Sequence, residues 1–136
     1  MKPSMGDEQK ITAALDFLAR SFLRDAIDRV DGFTVGSDSE ILDIFGRYEA
    51  ITKAINPNAD VSEQKADVYR YLGQANGLIL RGLTEDKDGL EEQLFERSVD
   101  HYEYALKLIP GDYSGLYNLA ITLYNHGVRQ LKRINH

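Results

Sequence analysis

Apolar residues recur along most of this chain at intervals of three and four, the spacing that places side chains on one face of an α-helix. The clearest case is the stretch from Asp112 to Gly127, where Leu116, Leu119 and Leu123 keep this spacing. No segment shows the clean alternation of apolar and polar residues that is typical of a half-buried strand. Four breaks rich in glycine, proline and aspartate divide the pattern, at residues 31–39, 56–60, 84–89 and 110–112.

Four breaks leave five segments, and each is predicted to be a helix. The connections are short, so we expect consecutive helices to be antiparallel. Ser37 followed by Glu40 has the spacing of a capping box before the second helix. Asp88 followed by Glu91 offers a similar start for the fourth. The predicted helices span residues 7–30, 38–55, 61–83, 90–109 and the stretch after residue 112.

We expect each helix to bury its apolar stripe. The last stripe passes through a glycine, so one long terminal helix with an internal glycine is expected, a kink there being the alternative. The predicted stripes are Ile11, Ala14, Leu15, Leu18 and Phe22 in the first helix, Ile41, Ile44, Tyr48, Ile51 and Ile55 in the second, and Leu116, Leu119, Leu123, Gly127, Leu131 and Ile134 in the last.

Alternate helices share a small residue at the same place in the stripe. A small side chain there lets a partner helix approach closely. The matching sets are Leu15, Leu18, Ala19 and Phe22; Tyr69, Leu72, Gly73 and Asn76; and Leu116, Leu119, Ala120 and Leu123.

The string L-Y-N-L-A-x2-L-Y-x2-G ending at Gly127, preceded by Tyr102, Ala105 and Pro110, resembles the tetratricopeptide-repeat (TPR) family. The resemblance is strongest over residues 98–127. The spacing departs from the family: Gly73 to Ala120 is 47 residues (120 − 73), against about 34 in a standard repeat. The resemblance implies an all-α fold of five antiparallel helices, forming about two and a half TPR-like hairpins. It also implies a single domain over residues 7–136, with residues 1–6 a disordered terminus or a cloning remnant.

In the TPR family the first helix of each pair lines a concave groove that binds a peptide or a helix. Asn118 matches the family's groove asparagine, whose amide both donates to and accepts from a peptide backbone. Arginines on such a face would favour an acidic peptide or a C-terminal carboxylate. Packing residues and ordinary surface charges are the alternative interpretation of the same positions. The resemblance places these residues in the groove: Phe17, Arg20, Arg24, Arg70, Tyr71, Gln74, Tyr117, Asn118, Tyr124 and Asn125.

The net charge of −6 comes from one segment, residues 84–104, which holds eight acids and two bases. Nucleic-acid binding needs a basic footprint, so an acidic chain argues against it. We interpret the acidic run as a solvated helix face. The last residues, from Val128 on, are basic. They would complement the helix C-terminus, or else touch the acidic segment of another copy.

No catalytic, metal-binding or cofactor-binding residues are predicted. The chain has no cysteine, and its histidines (His101, His126 and His136) stand in no metal-ligand spacing. No apolar run approaches the ~18 to 20 residues of a membrane span. The expected compartment is the cytoplasm, and earlier removal of a leader peptide stays open.

The sequence therefore favours a noncatalytic protein-interaction module, an adaptor or a subunit of an assembly. The second hypothesis is a structural domain that self-associates through its terminal helices into a homo-oligomer. Apolar residues exposed on the last helix, such as Ile121 or Val128, would favour that second hypothesis. A small-ligand binder or an enzyme with a pocket between helices is the third and least favoured class.

Overall fold

The computed structural model describes residues 5–28 and 32–134, and all the regular structure in these ranges is helical. The all-α prediction is therefore confirmed for them. The helices group into two compact units, the first two helices in one, which ends at Val61, and the last three in the other, which begins at Ser62. The helices are α1 (Met5–Asp28), α2 (Asp38–Ile55), α3 (Ser62–Gly82), α4 (Leu90–Leu108) and α5 (Tyr113–Ile134).

The predicted helix boundaries agree with these bounds to within two residues wherever both ends are described. Helix α1 begins at Met5, two residues before the predicted start. Residues 1–4 and the expected end of the first helix at Val30 lie outside the described residues. A single domain over residues 7–136 stays a prediction beside the two units.

In the first unit, α1 packs on α2 through residues that lie outside the predicted stripe. Ala19 and Leu23 are the buried residues of α1, while Ile11, Leu18 and Phe22 are exposed. The expectation that the α1 stripe is buried was wrong, since the buried face lies one position further along the helix. In α2 the buried residues are Ile41, Phe45, Tyr48 and Thr52, whereas Ile51 and Ile55 are exposed.

The second unit is built on a close approach of α3 and α4 at Gly73. A Cβ added there would lie 2.9 Å from the ring of Tyr102, so only glycine leaves room for this buried tyrosine. The hydroxyl of Ser98 donates a 2.8 Å hydrogen bond to the Gly73 carbonyl. Burial raises the pKa of Tyr102, so its hydroxyl stays protonated at neutral pH. The predicted role of the small residue is thus confirmed in α3.

The helix starts differ from the predicted caps. Ser37 precedes α2 but makes no side-chain cap, because its hydroxyl accepts the backbone N–H of Thr34 at 3.0 Å instead. At the start of α4, Asp86 rather than Asp88 accepts the N–H of Glu91, at 3.0 Å. Gly89 occupies the N-cap in a left-handed conformation (φ 69°), which glycine adopts without strain.

Helix α5 runs antiparallel to α4 and is continuous through Gly127. The contacts fix the direction: Leu106 near the end of α4 lies against Gly115 near the start of α5, whereas Glu91 near the start of α4 reaches Arg129 near the end of α5. The expected long terminal helix is confirmed. Its orientation about its own axis is not the expected one, and this orientation defines the candidate site.

A candidate docking surface on helix α5

Helix α5 turns its apolar side to solvent. We call this side the outer stripe; along it Tyr124 is 72% exposed, Leu131 60% and Leu123 48%. The expectation that Leu116, Leu123, Leu131 and Ile134 face the core was therefore wrong. The outer stripe consists of Tyr113, Leu116, Tyr117, Ala120, Leu123, Tyr124, Gly127, Leu131 and Ile134.

The opposite side of α5, which packs against the rest of its unit, mixes polar and apolar residues. Its half-buried or buried members are Gly115, Asn118, Leu119, Ile121, Thr122, His126, Val128, Arg129 and Gln130. A surface helix of a globular protein normally buries its apolar stripe and exposes its polar side. In α5 the larger apolar stripe is the exposed one, and specific polar contacts help to hold the packed side in place.

The strongest such interaction centres on Glu91, in the first turn of α4, which is only 2% exposed. Arg129 approaches one carboxylate oxygen of Glu91 at 3.3 Å, and Arg133 pairs with the other. Arg129 also donates hydrogen bonds to the carbonyls of Leu80 at 2.7 Å and Leu83 at 3.2 Å. The Arg129 guanidinium thereby joins a buried carboxylate of α4 to the carbonyls of Leu80, in the last turn of α3, and Leu83, just after it.

One turn earlier on α5, His126 completes the polar contact. Its ring stacks on Phe95 of α4, with the ring centroids 3.6 Å apart and the planes within 10°. The Nε2 atom of His126 lies 3.7 Å from the exposed carboxylate of Glu92. The basic end of α5 thus meets the acidic start of α4 within one chain. The sequence interpretation had assigned these bases to the helix terminus or to another copy.

A small notch separates α3 from α5 beside this contact. Its volume is about 40 Å³, and Gly77, Asn125 and His126 are among its lining residues. A cavity of this size accommodates water, whereas sites for metabolites and cofactors measure about 300–1,000 Å³. Ligand binding in this notch therefore has no steric support.

The residues assigned to a groove are divided between the two units. Phe17, Arg20 and Arg24 lie exposed on α1, and Arg20 forms a 3.0 Å ion pair with Asp16 on the same helix. The α3 members are half-buried Tyr71 and exposed Gln74, together with Arg70, whose surroundings are described next.

Arg70 already holds two carboxylates of its own chain. It pairs with Asp67 and, at 2.6 Å, with Asp112, which precedes α5. The side chain of Asp112 is only 10% exposed and folds over Gly115. Arg70 therefore links α3 to the start of α5. These two ion pairs engage the guanidinium that would otherwise bind a partner's carboxylate.

The α5 members of the predicted groove do not share a face. Tyr117 and Tyr124 belong to the outer stripe, Asn118 lies half-buried on the packed side, and Asn125 is exposed beside the notch. Sequence reasoning found the two tyrosines but missed the Glu91–Arg129–Arg133 cluster. A usable signal was present: α5 contains three bases and no acid, and it follows a helix that opens with two glutamates.

Within residues 5–28 and 32–134, no cluster of His, Asp and Glu side chains is arranged to bind a metal ion. The same ranges contain no helix long and apolar enough to cross a membrane. Comparison of the chain with protein-family models, with curated proteins and with solved structures yields no match to any of them.

Proposed function

We propose that this chain is a noncatalytic protein-interaction module with a TPR-like arrangement of helices, and that it binds an amphipathic helix on the outer stripe of α5. The observation that carries the proposal is the reversed orientation of α5. Contiguous apolar patches of this length are uncommon on monomeric proteins, and where they occur they mark interaction sites.

The energetics support the same conclusion. Full burial of a leucine or isoleucine side chain stabilises by about 1.5–3 kcal/mol. Leu116, Leu123, Leu131 and Ile134 are all exposed, so covering them would contribute several kcal/mol. This free energy is not used within the α3–α5 unit and is available for binding a partner.

An internal comparison indicates what kind of partner fits. Helices α3 and α5 share the stripe with a small residue at its centre, Gly73 in one and Ala120 in the other. On α3 this stripe is covered by α4, with Tyr102 lying over Gly73. On α5 the position of Ala120 is exposed. A helix that takes the place on α5 that α4 takes on α3 would complete the pair.

The proposed surface differs from the concave groove of the sequence interpretation and shares only Tyr117 and Tyr124 with it. Arg70 is engaged by Asp67 and Asp112, so the acidic or carboxylate ligand has no supporting observation. Neither a catalytic nor a small-ligand role is supported by the 40 Å³ notch.

Position-specific photo-cross-linking tests the proposal. A benzoyl-phenylalanine in place of Tyr124 should give cross-linked products in an extract of the source cell, because this position lies at the centre of the outer stripe. The same group in place of Asn125 should give few or none. Asn125 is also exposed but lies about 100° away around the helix. Products would be counted by mass spectrometry. Equal labelling at the two positions, or none at either, would contradict a docking surface on the outer stripe.

A further inference from the structure

The outer stripe has an internal symmetry that points to its occupant. Ala120 and Gly127 lie seven residues apart on its midline, and nothing lies within 4 Å of a Cβ built on Gly127. Large side chains flank these two small positions on both sides and at both ends. Seven residues are two helical turns, so the small positions form a shallow depression in the middle of the stripe.

We propose that a second copy of this chain covers the outer stripe, through an antiparallel pairing of the two α5 helices; this rests on the proposed function of the stripe. With a two-fold axis between Leu123 and Tyr124, Ala120 of one copy faces Gly127 of the other. Leu116 then faces Leu131, and Tyr113 faces Ile134. The small residues meet on the midline of the stripe, so the two backbones approach closely, and the large side chains pack on either side of that line.

Charge favours the antiparallel direction over the parallel one. Helix α5 carries Arg129, Lys132 and Arg133 near its end and no acidic residue. Arg129 and Arg133 pair with Glu91 on the packed side, so a parallel pair would chiefly bring the two copies of Lys132 together. In the antiparallel pair the two copies of Lys132 are separated by about 25 Å along the axis, several times the ~8 Å screening length. In the antiparallel pair the helix dipoles also oppose each other favourably.

The area that the outer stripe can bury limits the affinity of the dimer. A 22-residue helix is about 33 Å long and about 10 Å wide, so two such faces cover on the order of 600–700 Å² in total. Stable interfaces bury at least about 1,000 Å². The pair is therefore a reversible dimer that depends on protein concentration. A pairing of α5 with α1 of another copy would instead be head-to-tail and would extend into open chains, whereas the two-fold pair closes at two copies.

Sedimentation equilibrium of the full chain, from micromolar to millimolar concentration, tests the proposal. The mass should rise from one chain to two and stop there. Leu123→Glu should raise the dissociation constant roughly tenfold or more, because two carboxylates would face each other at the axis. Asn125→Glu adds the same charge on the same helix away from the stripe and should leave the dissociation constant unchanged. Masses that grow beyond two chains, or equal effects of the two variants, would overturn the pairing.

Ala120→Leu distinguishes close helix packing from nonspecific hydrophobic association. The substitution makes the stripe more apolar, so a surface that associates nonspecifically would associate more strongly. In the proposed pair the larger side chain forces the backbones apart, and the dissociation constant should rise roughly tenfold. Tighter association of this variant would contradict the pairing.

Disulfide trapping then tests the direction, since the chain has no cysteine of its own. Leu123→Cys should cross-link to itself on oxidation. Tyr113→Cys should cross-link only when mixed with Ile134→Cys. Self-linking of Tyr113→Cys would mean a parallel pair and overturn the proposed arrangement.

Sedimentation and photo-cross-linking together distinguish failure of the dimer from failure of the proposed docking surface. A monomer at millimolar concentration, with cross-links from position 124 to another protein, would overturn the second copy as occupant and leave the docking surface standing. A monomer with no cross-links from position 124 would remove both.

Discussion

Replacing Arg129 with alanine is expected to lower the free energy of unfolding by about 2–4 kcal/mol. The change removes two hydrogen bonds to carbonyls at the end of α3. It also leaves the carboxylate of Glu91, 2% exposed, with Arg133 as its remaining guanidinium partner. A buried charge that loses a partner costs more than the pair contributed, because the carboxylate does not regain its hydration. Denaturant unfolding followed by circular dichroism would measure the loss.

Hydrogen exchange can also show which helices the Arg129→Ala substitution destabilises. Hydrogen exchange should accelerate in α5 while the α3–α4 contact around Gly73 stays protected, because Arg129 holds α5 to its unit. Lys132→Ala, an exposed base three residues away, is the matched control and should stay within about 0.5 kcal/mol of the unchanged protein. The double variant Arg129→Met with Glu91→Leu should recover part of the loss, since it removes the stranded charge. A double variant less stable than Arg129→Ala would contradict this account of the cluster.

Replacing Gly73 with valine is expected to destabilise the second unit by about 2 kcal/mol or more. The Cβ alone would lie 2.9 Å from the Tyr102 ring, and two further methyl groups would deepen the clash. Tyr102 is buried, so its ring cannot move away without disturbing the packing of α4. Thermal and denaturant unfolding at low protein concentration would measure the effect.

Gly127→Val is the matched control for this experiment. Gly127 also lies in the interior of a helix of the same unit, but it faces open space. Valine has a somewhat higher helix propensity than glycine, so the control should be neutral or stabilised by a few tenths of a kcal/mol. Tyr102→Ala in the Gly73→Val background should reduce the added cost of the valine, because the two positions are in contact. Equal destabilisation by valine at positions 73 and 127 would mean that backbone propensity, not the tyrosine contact, decides the effect.

The five helices were predictable from the sequence because their signals are local. Three-four spacing identifies each helix, and Pro57, Pro110 and the glycine-rich breaks end them where they do. The role of Gly73 was also predictable, since a recurring small residue within an apolar stripe indicates a close helix approach. The expected partner, a helix lying across it, is found in α4.

The orientation of α5 was not predictable from periodicity alone. The apolar pattern shows which residues of α5 share a face, but it does not show what covers that face. The rule that the apolar face is buried assumes that the chain itself contains a helix to cover it. Three long-range contacts override that rule here: Arg129 with Glu91, Arg133 with Glu91, and His126 with Phe95. They join residues more than 30 positions apart, which no local pattern reveals. The same limit explains α1, where Ala19 and Leu23 are buried in place of the predicted Leu18 and Phe22.

Most depends on whether the outer stripe of α5 is open in the monomer and is the surface that a partner covers. Tyrosine nitration by tetranitromethane, mapped by mass spectrometry, tests it directly. Tyr117 and Tyr124 are 68% and 72% exposed, whereas Tyr48 and Tyr102 are 1% and 3% exposed. In the dilute, monomeric protein Tyr117 and Tyr124 should react quickly and Tyr48 and Tyr102 slowly, and Tyr124 should become protected as the concentration rises. Protection of Tyr117 and Tyr124 equal to that of Tyr102 in the monomer would contradict the account, because the stripe would then be covered within the chain itself.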